Sequence, residues 1–96
     1  MEAKIRTLHP NGKQGTNISQ AKYEVIKQAI LEALQARPGL TFTELTQEIE
    51  ARLAGNFEGS VNWYVTTVKL DLEARGLVRR VPNTSPQQLR LVSRNS

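Results

Sequence analysis

Apolar residues recur with a helical period in three stretches of the chain. In the first, Tyr23, Ile26, Ile30 and Leu34 fall at steps of three and four, which places them on one face of a helix. Ser19 stands just ahead of this stretch and suits a cap, since its hydroxyl can accept from a free backbone N–H of the first turn. Arg37-Pro38-Gly39 closes it: proline disfavours helix at the residue before it, and glycine permits the exit turn. The second stretch opens on a Thr41 and Glu44 spacing that predicts a capping box. Phe42, Leu45, Ile49 and Leu53 then form its stripe, and Gly55-Asn56 breaks it. In the third, Ser60 caps a helix expected to run to about Arg75, with Val61, Val65, Val68 and Leu72 on the core face. Three of those four are β-branched valines, which weakens intrinsic helix propensity. The regular stripe and the good helix formers over 69–75 outweigh that, and Gly76 is the stop.

After Gly76 the pattern changes. Leu77-Val78-Arg79-Arg80-Val81 predicts a strand, Pro82-Asn83-Thr84-Ser85-Pro86 a turn, and Gln88-Leu89-Arg90-Leu91-Val92 a returning strand. Side chains alternate across a strand, so Leu89 and Leu91 press on the helices while Arg90 faces outward. At the other end of the chain Lys4 to Leu8 alternates loosely, Asn11-Gly12 is a turn signal, and Thr16 to Ile18 can return as a strand. That segment reads as a small hairpin or as a loose arm. No internal repeat or low-complexity segment is present.

Composition narrows the class. Ninety-six residues suffice for one domain and not for two. Hydrophobic content of 39% with 23% charged residues is that of an ordinary globular protein rather than a disordered one. The absence of cysteine excludes disulfides and thiolate metal sites. No apolar run approaches the roughly 20 residues of a membrane span, and the first ten residues lack a signal-peptide core, so a cytoplasmic protein is expected.

The net charge of +4 is unevenly spread. Residues 79–96 hold four arginines and no acid, whereas residues 40–58 hold four glutamates against Arg52 alone, a local balance of −3. One end of the molecule attracts phosphate and the middle repels it.

Helix, helix, turn, helix and hairpin follow one another, and the run Leu70-Asp71-Leu72-Glu73-Ala74-Arg75-Gly76-Leu77-Val78-Arg79-Arg80 sharpens the picture. It resembles the end of the recognition helix and the start of the wing in MarR-like and related winged-helix regulators. In them a leucine, acids, Arg-Gly-Leu and a basic strand follow in that order. The resemblance implies an α+β winged helix: a three-helix helix-turn-helix core with a C-terminal β-hairpin wing. It implies that Leu72 anchors the helix, Gly76 takes the left-handed cap and Leu77 re-enters the core. The expected division is an N-terminal arm or short hairpin over 1–18, the winged helix over 19–92 and a frayed tail over 93–96. Asn62-Trp63-Tyr64-Val65, taken with the same run, is also similar to small bacterial proteins of unknown function.

In the resembling regulators the outward face of the third helix enters the major groove. Carried over, that face is Ser60, Asn62, Trp63, Thr66, Thr67 and Lys69. Asn can pair with adenine, and Thr can touch a thymine methyl or a phosphate. Trp63 departs from the usual small polar residue; it is expected beneath the N-terminal hairpin or in a protein interface, with base contact as the alternative. Arg79, Arg80, Arg90 and Arg94 are the candidates for phosphate, or else a solvated strand edge that resists aggregation. Glu44, Glu48 and Glu50 count against DNA beside the second helix, and Asp71 and Glu73 add acid to the far end of the third.

Enzyme chemistry is not expected. His9 is the sole histidine, no cysteine accompanies it for a metal, and no lysine-bearing phosphate loop follows Gly55 or Gly59. Ser60 has no base placed to activate it and reads as a helix cap. Two functions remain: a winged-helix nucleic-acid-binding protein of the small bacterial transcription-regulator type, with duplex DNA as partner, or a protein-interaction module, hetero- or homodimeric, built around Trp63, Tyr64 and Leu70. No cofactor, metal or membrane enters either.

Overall fold

Each of the three helices starts at a side-chain cap. Ser19 accepts the Lys22 N–H at 3.2 Å and opens α1 (Gln20–Ala36) in the computed structural model, which describes residues 3–12 and 15–92. At α2 (Phe42–Arg52) the capping box is reciprocal: Glu44 N–H donates to Thr41 Oγ1 at 3.1 Å and Thr41 N–H to Glu44 Oε1 at 3.0 Å. Ser60 accepts the Trp63 N–H at 3.1 Å and opens α3 (Val61–Ala74). α3 closes on a Schellman turn, in which Leu77 N–H reaches the Leu72 carbonyl at 2.9 Å and Gly76 N–H that of Glu73 at 3.1 Å. Gly76 holds φ +78°, the left-handed conformation this turn requires.

α1 is the centre of the molecule and packs on both other helices. Tyr23, Ile26, Ile30 and Leu34 are buried along it, with Ala29 and Ala33 filling the gaps between helices. Leu45 and Ile49 enter from α2, and Val65, Val68 and Leu72 from α3. Burying each of these aliphatic side chains stabilises the fold by roughly 1.5–3 kcal/mol. That gain overrides the weak helix propensity of the valines. Phe42, Leu53 and Val61, the ends of the predicted stripes, are only partly buried because they lie at the rim of the core.

The strands are short. β3 (Val78–Arg80) and β4 (Leu89–Leu91) pair antiparallel with Val78 opposite Leu91, Arg79 opposite Arg90 and Arg80 opposite Leu89. Backbone bonds from Val81 N–H to Gln88 and from Val92 N–H to Leu77 extend the hairpin at both ends. On its other side β4 meets the segment before α2: Leu89 N–H donates to the Leu40 carbonyl at 2.8 Å and Gly39 N–H to that of Leu89 at 3.0 Å. Leu89 is buried against the helices and Arg90 is exposed, as the alternation predicts.

A second hairpin lies at the N-terminus. β1 (Lys4–Arg6) pairs antiparallel with β2 (Asn17–Ser19), Ile5 facing Ile18. Thr7 is buried and exchanges bonds with Thr16 through both its backbone and its hydroxyl. The architecture is therefore α+β, with three helices and two small antiparallel sheets. The tail over 93–96, with Arg94, lies outside the described residues.

Candidate nucleic-acid interface

The register of the C-terminal hairpin decides the fate of its arginines. Arg79 and Arg90 are directly opposed across the strands, so their Cα atoms lie about 5 Å apart. Both side chains are exposed, and neither has an acidic partner among the described residues. With Leu91 and Val92 they line a shallow hollow of ≈ 370 Å³. Arg80 projects to the opposite face of the hairpin and its Nε meets Glu73 Oε1 at 2.9 Å. The described arginines of the C-terminal hairpin thus separate into an unneutralised pair and one that is already engaged.

α3 presents its outward face from the first turns. Asn62 is exposed, and Trp63 keeps 44% of its surface open. Ser60 is exposed, but its Oγ is committed to the helix cap. Thr66 and Thr67 are half-buried, and Thr66 Oγ1 donates back to the Asn62 carbonyl at 2.9 Å. Lys69 does not join this face. Its ammonium lies 2.7 Å from Glu73 Oε2 and 5.5 Å from the centre of the Phe42 ring, and the side chain is only 12% exposed.

Trp63 is not covered by the N-terminal hairpin. It packs edge-on to Tyr64 at 4.9 Å, and Tyr64 packs edge-on to Phe57 at 5.1 Å. The Lys22 ammonium lies over the Tyr64 and Phe57 rings. These contacts hold an otherwise open indole in place.

The acids that count against phosphate are largely engaged. Glu44 is the reciprocal half of the α2 cap. Glu48 accepts from Arg52 Nε at 2.9 Å and lies 3.9 Å from Arg37. Glu73 takes both Lys69 and Arg80. Glu44 and Glu50 have no cation beside them, and Glu50 alone of the α2 acids makes neither a hydrogen bond nor an ion pair among the described residues. It shares a cleft of ≈ 230 Å³ with Phe42, Gln47 and Asn62.

Asp71 is not a surface acid at all. It is fully buried, and its Oδ1 accepts the Leu8 N–H at 2.8 Å. Its Oδ2 accepts from the Tyr23 hydroxyl and from Arg75 Nε, the latter at 2.8 Å. Burial and then the neighbouring carboxylate push the Tyr23 phenol well above its ordinary value, so it stays protonated and donates. The bond to Asp71 in turn raises the Arg75 guanidinium above its ordinary value. Two signals for this network stood in the sequence: an acid three residues after Val68 on the buried side of α3, and a tyrosine on the α1 stripe whose hydroxyl needs a partner.

A family model for a family of unknown function, DUF6958, matches residues 4–89. The chain belongs to that family. The match takes in the N-terminal hairpin, all three helices and the DUF6958 chain's C-terminal hairpin as far as Leu89. No curated protein and no solved structure matches the chain. Among the described residues no group of three His, Asp or Glu side chains is placed to hold a metal, and no helix is long and apolar enough to cross a membrane.

Proposed function

We propose that this protein is a non-enzymatic winged-helix nucleic-acid-binding domain, of the kind found in small bacterial transcription regulators working in the cytoplasm. The observation that carries the reading is the Arg79–Arg90 pair. Like charges directly opposed across two strands are destabilising on their own, and here they are exposed with no acid beside them. A phosphate group relieves that repulsion, and two guanidiniums suit it as bidentate donors. Order and pairing support the fold reading: three helices precede a two-stranded wing, and the Leu40 segment before α2 bonds to β4 on its free side. In this reading the wing straddles the backbone and the exposed first turns of α3 enter the major groove. Glu48, Asp71 and Glu73 are compensated by cations within the molecule, which leaves Glu44 and Glu50 as the acids of α2 that a phosphate backbone would meet.

The test is a fluorescence-anisotropy titration with random duplex DNA at low and at physiological salt. Micromolar binding that weakens steeply with salt is the expected result, and the Arg79→Ala/Arg90→Ala variant should lower the salt slope by about 2. No binding at low salt, or a slope unchanged in the double variant, sinks the wing model.

A second reading rests on Trp63. An exposed tryptophan braced by Tyr64 and Phe57 suits the centre of a protein-docking patch. It is favoured instead if Trp63→Ala leaves all duplex binding unchanged.

A further inference from the structure

The outward face of α3 carries a biased set of base-reading groups. The Asn62 side-chain amide is exposed and makes no hydrogen bond among the described residues. Thr66 donates its hydroxyl proton to the Asn62 carbonyl, which leaves its methyl and an acceptor oxygen as the free parts of the side chain. Trp63 offers a large apolar plate, held by its edge contact to Tyr64 at an interplanar angle of 81°. The lysine that the sequence places on this face, Lys69, is bound to Glu73 and lies over Phe42. The first three turns of α3 therefore present an amide, an indole and the partly open side chains of Thr66 and Thr67, and no free cation.

Base pairs differ in what they ask for in the major groove. Guanine shows two acceptors, O6 and N7, and is read by Arg or Lys. Adenine shows an acceptor beside a donor, N7 and the 6-amino group, and is read by an Asn or Gln amide. Thymine adds a methyl that takes apolar contact. We infer that α3 selects A·T pairs over G·C pairs through the major groove, with Asn62 on an adenine and Trp63 and the Thr66 methyl on thymine methyls. The inference rests on the nucleic-acid reading above and adds to it a base preference and the residues that set it. Gln47, across the cleft from Asn62, carries a second amide of the adenine-reading kind. Glu50 in the same cleft has the opposite tendency, since a carboxylate accepts from the cytosine 4-amino group.

The experiment compares four hairpin duplexes of equal length by anisotropy, with the full chain, at low and at physiological salt. Their stems contain only A·T, only G·C, only hypoxanthine·C, or A·U pairs. A hypoxanthine·C pair has the major-groove face of G·C and the minor-groove face of A·T. The A·U stem differs from A·T by the loss of the thymine methyl. We expect the A·T stem to bind about tenfold more tightly than the G·C stem, the hypoxanthine·C stem to bind as weakly as G·C, and the A·U stem to fall between. Asn62→Ala, an exposed substitution that leaves the core intact, should bring A·T and G·C within about threefold and keep the salt dependence. Trp63→Ala should reduce the difference between A·T and A·U, and Trp63→Ala combined with Thr66→Ser should erase it. Three results overturn the inference while the nucleic-acid reading stands: salt-sensitive binding equal on all stems, hypoxanthine·C binding like A·T, and a G·C preference that disappears in Glu50→Gln. Absence of binding to every stem at low salt overturns the nucleic-acid reading itself, and this inference with it.

Discussion

The Asp71 carboxylate accepts the backbone N–H of Leu8 at 2.8 Å across 63 positions of chain. That bond ties the N-terminal hairpin to the last turn of α3. It belongs to a set in which Tyr23 from α1 and Arg75 from α3 use the other carboxylate oxygen. Three parts of the chain, the N-terminal segment, α1 and the end of α3, meet at one buried charge, and the charge is matched because Arg75 neutralises it from the partly exposed side.

Removing that carboxylate leaves a buried hydroxyl and a backbone donor without an acceptor. Asp71→Ala should therefore destabilise the fold by about 3 kcal/mol. Urea denaturation followed by circular dichroism measures it, and amide exchange at Leu8 should accelerate in parallel. A loss under about 1 kcal/mol would show that the network is replaceable by water.

Tyr23 gives the fold an alkaline limit. Its phenol titrates higher in the folded chain than in the unfolded one, because burial and Asp71 both oppose ionisation. The unfolded chain therefore releases this proton first as pH rises. The stability tied to it is complete below pH ~10 and declines above, with a slope approaching about 1.4 kcal/mol per pH unit. Tyr23→Phe should cost about 1–2 kcal/mol at neutral pH and flatten the decline above pH ~10 relative to the wild type. Parallel curves for the two proteins would show that the phenol does not carry it.

On the proposed reading, the C-terminal hairpin trades stability for charge. Arg90→Glu replaces the like-charged pair with an opposite-charged one across Arg79. The variant should gain about 0.2–1 kcal/mol at low salt and lose duplex binding. Thermal melts in low and high salt, alongside the anisotropy titration, check both halves. A variant that is no more stable would mean the arginines do not strain the free protein.

Gly15 approaches Thr7 too closely for any side chain. A Cβ built there lies 1.7 Å from the Thr7 carbonyl oxygen. Gly15→Ala should open the N-terminal hairpin while the helices persist, because the helical core does not pass through this contact. Loss of amide protection at Thr7 and Thr16, with helical ellipticity retained, is the expected pattern. Unchanged protection would mean that the hairpin accommodates the methyl by shifting.

The single tryptophan reports directly on the α3 face. At 44% exposed, Trp63 should emit at long wavelength and be quenched readily by acrylamide. Bound duplex should protect it. Blue emission in the free monomer would contradict the open indole.

The helices were legible because local chemistry and core pattern agree. Ser19, Thr41 with Glu44, and Ser60 mark the starts, and the stripes from Tyr23 to Leu34 and from Val65 to Leu72 mark the buried faces. The strand cores of the C-terminal hairpin were equally plain, but their ends were not. The five-residue runs read from alternation contain three-residue strands, with the outer residues joined by single backbone bonds to Leu77 and Gln88. The partners that Lys69 and Asp71 find outside α3 were beyond local reading. Lys69 leaves the outward face because Phe42 from another helix and Glu73 lie beside it. Asp71 turns inward to donors on α1 and on the N-terminal segment. The spacing within α3 puts Asp71 on its buried side and Lys69 one turn from Glu73, but the ring of Phe42 and the donors on α1 and the N-terminal segment are set by where the chain folds back. The open position of Trp63 has the same origin, since its supports are Tyr64 and, through it, Phe57 in the preceding loop.

Glu73 grips Lys69 from its own helix with one oxygen and Arg80 from the wing with the other. A single carboxylate so placed works as a weld at the joint between helix and hairpin. It makes the span from the exposed turn at Asn62 to the arginines at 79 and 90 behave as the fixed jaws of a caliper. On the proposed nucleic-acid reading, a target is then chosen partly by size: only surfaces whose groove and backbone lie at that one opening touch both jaws at once.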